Sequence, residues 1–173
     1  SADTAAPTAR TERDNVSYAT INLTQSQYDR YYKGFCNTTL WPLFHYLTDR
    51  FRFDHEWHDG YRAVNRLFAE RLVPLLRPDD RIWVHDYHLM ALARELRELG
   101  VTQSIGFFLH IPFPHLEVLR LLPAHAEIIR DLAHYDLVGF QTESDERSFR
   151  SGLAGVFTDG APRVHSGAFP IGI

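Results

Sequence analysis

A chain of 173 residues, 45% hydrophobic and 23% charged, is long enough to bury the core of one soluble domain. Its formal charge of -4 argues against a nucleic-acid partner, which calls for a basic stripe, and no apolar run approaches the roughly 20 residues of a membrane span. The single cysteine, Cys36, excludes an intramolecular disulfide framework and suits a reducing compartment; with no signal-peptide core in the first residues, a cytoplasmic protein is expected. An anionic small molecule stays open as a partner, because helix N-termini and a few cationic side chains hold phosphate without a basic surface.

Residues 1–15, rich in Ala, Thr and charge, lack a periodic apolar pattern and predict a flexible lead-in, with the folded domain running over 16–173. Weak alternation of apolar and polar side chains predicts a strand over 16–23. Thr24 or Ser26 is placed to cap a short helix carrying Tyr28, Tyr31, Tyr32 and Phe35, which Gly34 should end or bend. Next, Leu40, Leu43, Phe44 and Leu47 stand at helical spacing, with Pro42 tolerable only in a first turn. Over 56–76, Trp57, Tyr61, Val64, Leu67, Phe68, Leu72 and Leu75 make the clearest amphipathic stripe of the chain. After the turn Arg77-Pro78-Asp79-Asp80 comes Ile82-Trp83-Val84, an apolar run of the kind that forms a buried parallel strand.

A helix is predicted over 89–99, with Arg94, Arg97 and Glu98 facing water and Gly100 in the position of a stop. A strand over 105–109 leads to a Pro-flanked loop, helix material over 116–133 is broken by Pro123, and a strand follows over 137–140. Thr142-Glu143-Ser144-Asp145 has capping-box spacing and should start a helix over 143–153, with a last strand and turn over 164–172. Strands alternating with helices define βαβ units, hence an α/β fold with a parallel sheet and right-handed crossovers. Neither Gly-x-Gly-x-x-Gly nor a P-loop occurs.

Three of these strands each deliver a polar cluster at the carboxyl end: His85-Asp86-Tyr87-His88, then His110 before Pro112 and Pro114, then Gln141-Thr142-Glu143. In an open parallel sheet that edge is where ligands bind. Asp86 is the foremost candidate; it could cap the following helix, but the crowding of two histidines and a tyrosine in the same turn suits a carboxylate that accepts ligand hydroxyls. His110 shares that edge, stiffened by the prolines after it. His85 and His88, three apart, have a spacing compatible with metal ligation, yet there is no HExxH and no cysteine pair to complete a site. One of the two is expected to hydrogen-bond in the core and the other to line the crevice, with no metal. Tyr32 and Trp41 belong to an aromatic run that is mostly core, though flat faces with a polar tip also suit a sugar. Cys36 has no activating neighbour in sequence and reads as inert.

Four segments in order, Tyr31 to Tyr46 (YYKGFCNTTLWPLFHY), Trp83 to Leu89 (WVHDYHL), Ile105 to Pro114 (IGFFLHIPFP) and Tyr135 to Glu143 (YDLVGFQTE), resemble trehalose-6-phosphate synthases, and the resemblance covers nearly all of 16–173. It implies a retaining glycosyltransferase of the GT-B type, two Rossmann-like domains across a cleft, of which this chain would be an incomplete N-terminal, acceptor-side domain, inactive by itself. The expected reaction transfers glucose from a nucleotide sugar, UDP-glucose, to glucose 6-phosphate. The nucleotide sugar is a co-substrate and no cofactor is expected. By resemblance Tyr32, Trp41 and Asp86 line the acceptor pocket, with Tyr32 near the phosphate, and His110 contacts the donor glucose. Retention is attributed in this family to front-face attack with the leaving phosphate accepting the proton, so Asp86 is no nucleophile. The family's opening strand, its glycine-rich loop with an arginine for the acceptor phosphate, and its nucleotide-holding second domain have no counterpart in these residues, and His115-Leu116 departs from the usual pattern after Pro114.

Three alternatives stand beside this expectation. One is a related GT-B synthase using another phosphorylated acceptor, such as a glycerol phosphate or a pseudo-sugar phosphate. A second is a metal-dependent hydrolase built on His85, Asp86, His88 and His110. The third is a non-catalytic partner subunit, against which the presence of both Asp86 and Tyr32 counts. An exposed Trp57 helix would leave room for a homo-oligomer.

Overall fold

The computed structural model describes residues 9–160, 162 and 164–172. It opens with a hairpin, β1 (Ala9–Arg13) and β2 (Val16–Thr20), paired antiparallel with Arg13 opposite Val16. The connecting residues Asp14 and Asn15 have φ of 50° and 64°. Two adjacent left-handed residues make a two-residue hairpin turn, and Asp and Asn tolerate that region better than other non-glycine residues. Where the sequence predicted a lead-in without periodic pattern, residues 9–15 form the first strand and turn of this hairpin, and residues 1–8 lie outside the described part. The missing signal was the turn, because β1 has no apolar alternation to announce it.

Thr24 caps α1 (Gln25–Tyr28) with a full capping box, in which Gln27 N–H donates to Thr24 Oγ1 and the Thr24 N–H donates to Gln27 Oε1. The helix then widens into a π-helix over Asp29–Leu40 and closes as α2 (Trp41–Phe44), with Pro42 in its first turn. Trp41 N–H donates to Cys36 O, five residues back. Gly34 neither ends nor bends this helix, contrary to expectation. It is the point where α3 (His55–Leu72) presses in, since a Cβ at Gly34 would lie 2.5 Å from Trp57 Cγ. Trp57 is thus half-buried against Gly34 rather than displayed as a free face.

The remaining elements are β3 (Ile82–His85), α4 (Leu92–Glu98), β4 (Ile105–Phe108), α5 (Leu116–Leu119), α6 (His125–Leu132), β5 (Leu137–Phe140), α7 (Glu143–Val156) and β6 (His165–Ala168). The last four strands form a parallel sheet in the order β3-β4-β5-β6, as the βαβ pattern predicted. Alternation puts Ile82, Val84, Ile105, Phe107, Val138 and Phe140 in one buried core, where Phe140 meets Phe149 of α7 and Phe107 meets Tyr135. The opposite face carries Trp83, Gly106, Phe108, Leu137 and Gly139. There the indole of Trp83 lies so close over Gly106 that an added Cβ would come within 2.3 Å of it.

α7 begins where Thr142 accepts from Asp145 N–H and runs past the expected end at 153 to Val156. The predicted helix over 89–99 starts later, at Leu92, behind a 3-10 turn over Tyr87–Leu89, and Gly100 follows it with φ of +84°. Its cations do not simply face water. Arg94 pairs with Asp131 of α6 (3.5 Å), while Arg62 of α3 pairs with Asp131 (2.6 Å) and Glu95 (2.8 Å), both nearly fully buried. This network joins α3, α4 and α6, and losing one member would leave a buried charge without its partner.

Because Gly34 receives a ring rather than a flexible chain end, Gly34→Ala should lower stability by about 1–3 kcal/mol, read as a fall in the urea midpoint at unchanged slope. An unaltered midpoint would show that Trp57 moves aside without cost.

Candidate active site

The site is built on the four residues that follow β3. Asp86 N–H continues the ladder by donating to Phe108 O (2.8 Å), but its φ of 70° and ψ of 165° then break the strand. That combination is nearly glycine-only ground and costs on the order of 1–3 kcal/mol, sustained only if the surroundings impose it. Here they do. Tyr61 O–H donates to Tyr87 O (2.9 Å) and accepts from Met90 N–H (3.0 Å); Tyr31 O–H and Asn65 Nδ2 donate to His88 O (3.1 and 3.2 Å); Tyr135 O–H donates to Leu89 O (2.7 Å). Burial pushes the hydroxyls of Tyr31, Tyr61 and Tyr135 well above their ordinary range, so they remain protonated donors.

The strain turns Asp86 toward β4. Its Oδ1 accepts from Tyr87 N–H (3.0 Å) and His110 N–H (3.4 Å), so the carboxylate is both a local cap and a brace between two strand ends, with Oδ2 left for a ligand. His110 is held by its backbone as well, since Gln141 Nε2 at the end of β5 donates to His110 O (2.6 Å). Its ring lies beside His85, with His85 Nδ1 and His110 Nε2 2.9 Å apart. These two rings, with Trp83, Phe108, Leu137 and Phe169, line a groove of 390 Å³ on the open face of the sheet.

On the other flank, Tyr32 projects from the π-helix, 38% exposed, and stacks on His88 at 5.5 Å and on Tyr28 at 5.2 Å. Tyr87 completes the wall, tilted against His88 at 4.0 Å and donating its O–H to Asn37 Oδ1. Burial holds His88 below the ordinary histidine range although Asp86 pulls the other way, so the ring is neutral near pH 7. Cys36 is fully buried; burial first, and then the Asp86 charge, push its thiol well up, which makes it inert as expected.

Of the residues singled out from sequence, Asp86 and His110 are directly joined. Tyr32 stands at the rim through His88, and Trp41, 39% exposed at the end of the π-helix, has His45 as its ring partner at 4.1 Å. Among the described residues no three His, Cys, Asp or Glu side chains converge on a common point, so the hydrolase alternative finds no ligand set there. Sequence reasoning missed the pairing of His85 with His110 and the hold of Gln141. Alternation puts residues 106, 108 and 110 on one side of their strand and 83 and 85 on one side of theirs, but only the register, His85 opposite Phe108, brings the two sets together on the same face of the sheet. His115, the departure from the expected pattern, sits beside Ser148 with its Nδ1 3.0 Å from Oγ, and its N–H donates to the Tyr46 hydroxyl oxygen at 3.1 Å.

A parallel sheet with this polar carboxyl edge has the fold of the N-terminal Rossmann-like part of a GT-B glycosyltransferase. The sequence matches glycosyltransferase family 20 over residues 2–160, and the chain belongs to that family. It is 49% identical over 148 residues to the trehalose-6-phosphate synthase of Klebsiella pneumoniae, covering 86% of this chain and 31% of that protein. Among solved structures it is similar to a UDP-forming α,α-trehalose-phosphate synthase of Burkholderia xenovorans in complex with glucose 6-phosphate (TM-score 0.90, 44% identity, 96% of this chain and 39% of that one). It is also similar to an Escherichia coli protein of the same kind bound with UDP-2-fluoro glucose (TM-score 0.92, 42% identity, 97% and 40%). The chain thus spans about a third of the length of the curated relatives it matches. No helix among the described residues is long and apolar enough to cross a membrane.

Two outcomes check the clamp and the strain. Tyr61→Phe leaves Tyr87 O and Met90 N–H buried without a partner and should cost about 1–3 kcal/mol in denaturant unfolding; an unchanged midpoint would mean the turn holds without that hydroxyl. Asp86→Gly should be more stable than Asp86→Ala by about 1–2 kcal/mol, the reverse of the usual order, because only glycine is at ease at this φ and ψ.

Proposed function

We propose that the protein containing this chain transfers glucose from UDP-glucose to glucose 6-phosphate, forming trehalose 6-phosphate, and that this chain supplies the acceptor side of the site and part of the donor side. The observation that carries the reading is the brace between Asp86 and His110: a carboxylate with one oxygen committed to the backbone and one free, beside an imidazole on the next strand. Asp86 Oδ2 accepts an acceptor hydroxyl and orients it, the hydroxyl of Tyr32 and the indole N–H of Trp41 face the acceptor and its phosphate, and His110 contacts the donor sugar. Two relatives support the substrates: one was solved with glucose 6-phosphate and another with UDP-2-fluoro glucose.

In the reaction so read, the acceptor's anomeric oxygen bonds to C1 of the donor glucose as the C1–O bond to UDP breaks, and the acceptor's proton passes to the departing phosphate oxygen on the same face. The configuration is retained without an enzyme nucleophile. That agrees with a site in which Cys36 is buried and Asp86 is tied to two backbone N–H groups. A lone buried thiol with no disulfide partner in the sequence supports a cytoplasmic setting.

The test is release of UDP from UDP-glucose by the whole protein with glucose 6-phosphate as acceptor. Turnover should require the acceptor and fall by roughly 10²-fold in Asp86→Ala, the scale of a lost hydrogen bond to a charged group in the transition state. Turnover with a glycerol phosphate but not with glucose 6-phosphate would replace the acceptor, and an Asp86→Ala protein as active as wild type would remove Asp86 from the site.

A further inference from the structure

We infer that His85 is a positioning residue for His110, fixing its ring plane and its tautomer; this rests on the reading of His110 as the donor-sugar contact. A neutral imidazole has one N–H and one bare nitrogen, so a contact of 2.9 Å between His85 Nδ1 and His110 Nε2 requires one proton between them and couples the tautomers of the two rings. If His110 Nε2–H donates, both rings carry their proton on Nε2, the form that free histidine prefers in water. The bare nitrogen left to His110 is then Nδ1, an acceptor for a hydroxyl of the donor sugar. The reverse arrangement would make Nδ1 a donor and leave His85 in its less favoured form.

The surroundings favour a fixed ring. The His110 backbone is tied on both sides, by Asp86 Oδ1 at its N–H and by Gln141 Nε2 at its carbonyl, which restrains the main chain but leaves the ring free to rotate. Ring contacts with Phe108 at 4.8 Å and His85 at 5.2 Å limit that rotation, and only the His85 contact is polar enough to choose between the two nitrogens. His85 is itself held edge-on against Trp83 at 5.7 Å, and Trp83 rests on Gly106. The sequence Trp83, His85, Gly106, Phe108, His110 is therefore one face of two paired strands working as a single support. It ends in a nitrogen whose hydrogen-bonding sense is set at a distance from the ligand.

Two substitutions separate a positioning role from a packing one. His85→Phe keeps the ring and removes the nitrogen, whereas His85→Asn removes the ring and returns an acceptor oxygen close to the place of Nδ1. Imidazole ¹⁵N spectra of the whole protein should show His110 held as the Nε2–H tautomer in wild type and His85→Asn, and a tautomer mixture in His85→Phe. In the whole protein, transfer of glucose to glucose 6-phosphate should drop roughly tenfold in kcat for His85→Phe, with KM for glucose 6-phosphate within about twofold, and recover most of that loss in His85→Asn. A wild-type His110 in the Nδ1–H form, a His85→Phe protein with an unmixed His110 tautomer, or a His85→Asn protein no better than His85→Phe would each overturn the inference. A wild-type protein without transferase activity would count against the proposed function, while the spectra would still decide the pairing.

Discussion

The structure depends on how the polypeptide leaves β3. At Asp86 the chain takes up a conformation that an L-residue avoids, and four buried side chains hold it there by bonding every carbonyl from Tyr87 to Leu89. Those side chains come from three places, the π-helix (Tyr31), α3 (Tyr61 and Asn65) and the segment after α6 (Tyr135). A tyrosine hydroxyl suits this task because the ring can be spent on the core while the oxygen reaches the one polar strand of backbone inside it. The cost of the turn is thus spread over the hydrophobic core, and the core's integrity becomes a condition for the geometry of Asp86.

The two sides of that turn are treated differently. Away from the sheet edge, α3, α4 and α6 are pinned by Arg62, Arg94, Glu95 and Asp131, where burial pushes the Asp131 carboxyl up while two guanidinium groups pull it down. Those charges are paired with one another and with Arg66 and Glu98, and only Asp131 Oδ1, 3.5 Å from Arg94, lacks a hydrogen bond there. At the sheet edge the polar groups are only half matched: Asp86 keeps one oxygen and His110 one nitrogen outside the bonds that hold them. A half-matched edge beside an ionic network of paired charges combines groups free to exchange partners with a support that stays rigid.

Membership of glycosyltransferase family 20 gives these half-matched groups a chemical setting, and the local structure accounts for their arrangement. The π-helix is one example. Its wider turn ends at Trp41 and Pro42 and carries Tyr31 inward to His88 O while the next residue, Tyr32, stays at the rim against the ring of His88. One helix thereby contributes both to the clamp beneath the site and to the wall of the site itself.

Much of this was determined by the sequence alone. Apolar runs ending in His85-Asp86, His110 and Gln141 identified three parallel strands and the edge on which they deliver polar groups, since strand identity and direction are local properties of pattern. The Thr24 and Thr142 caps were legible for the same reason. The two-residue turn at Asp14-Asn15 was not, because neither residue is glycine and the Thr11-Glu12-Arg13 stretch before it has no apolar residue to announce a strand. Gly34 was misread as a helix breaker because its real partner, Trp57, is distant in sequence. Only the tertiary structure decided that Asp86 is strained, that His85 Nδ1 and His110 Nε2 come within hydrogen-bonding distance, and that Asp131 meets two arginines. Each of these needs the strand register or the packing of helices from separate parts of the chain, and no local pattern carries that information.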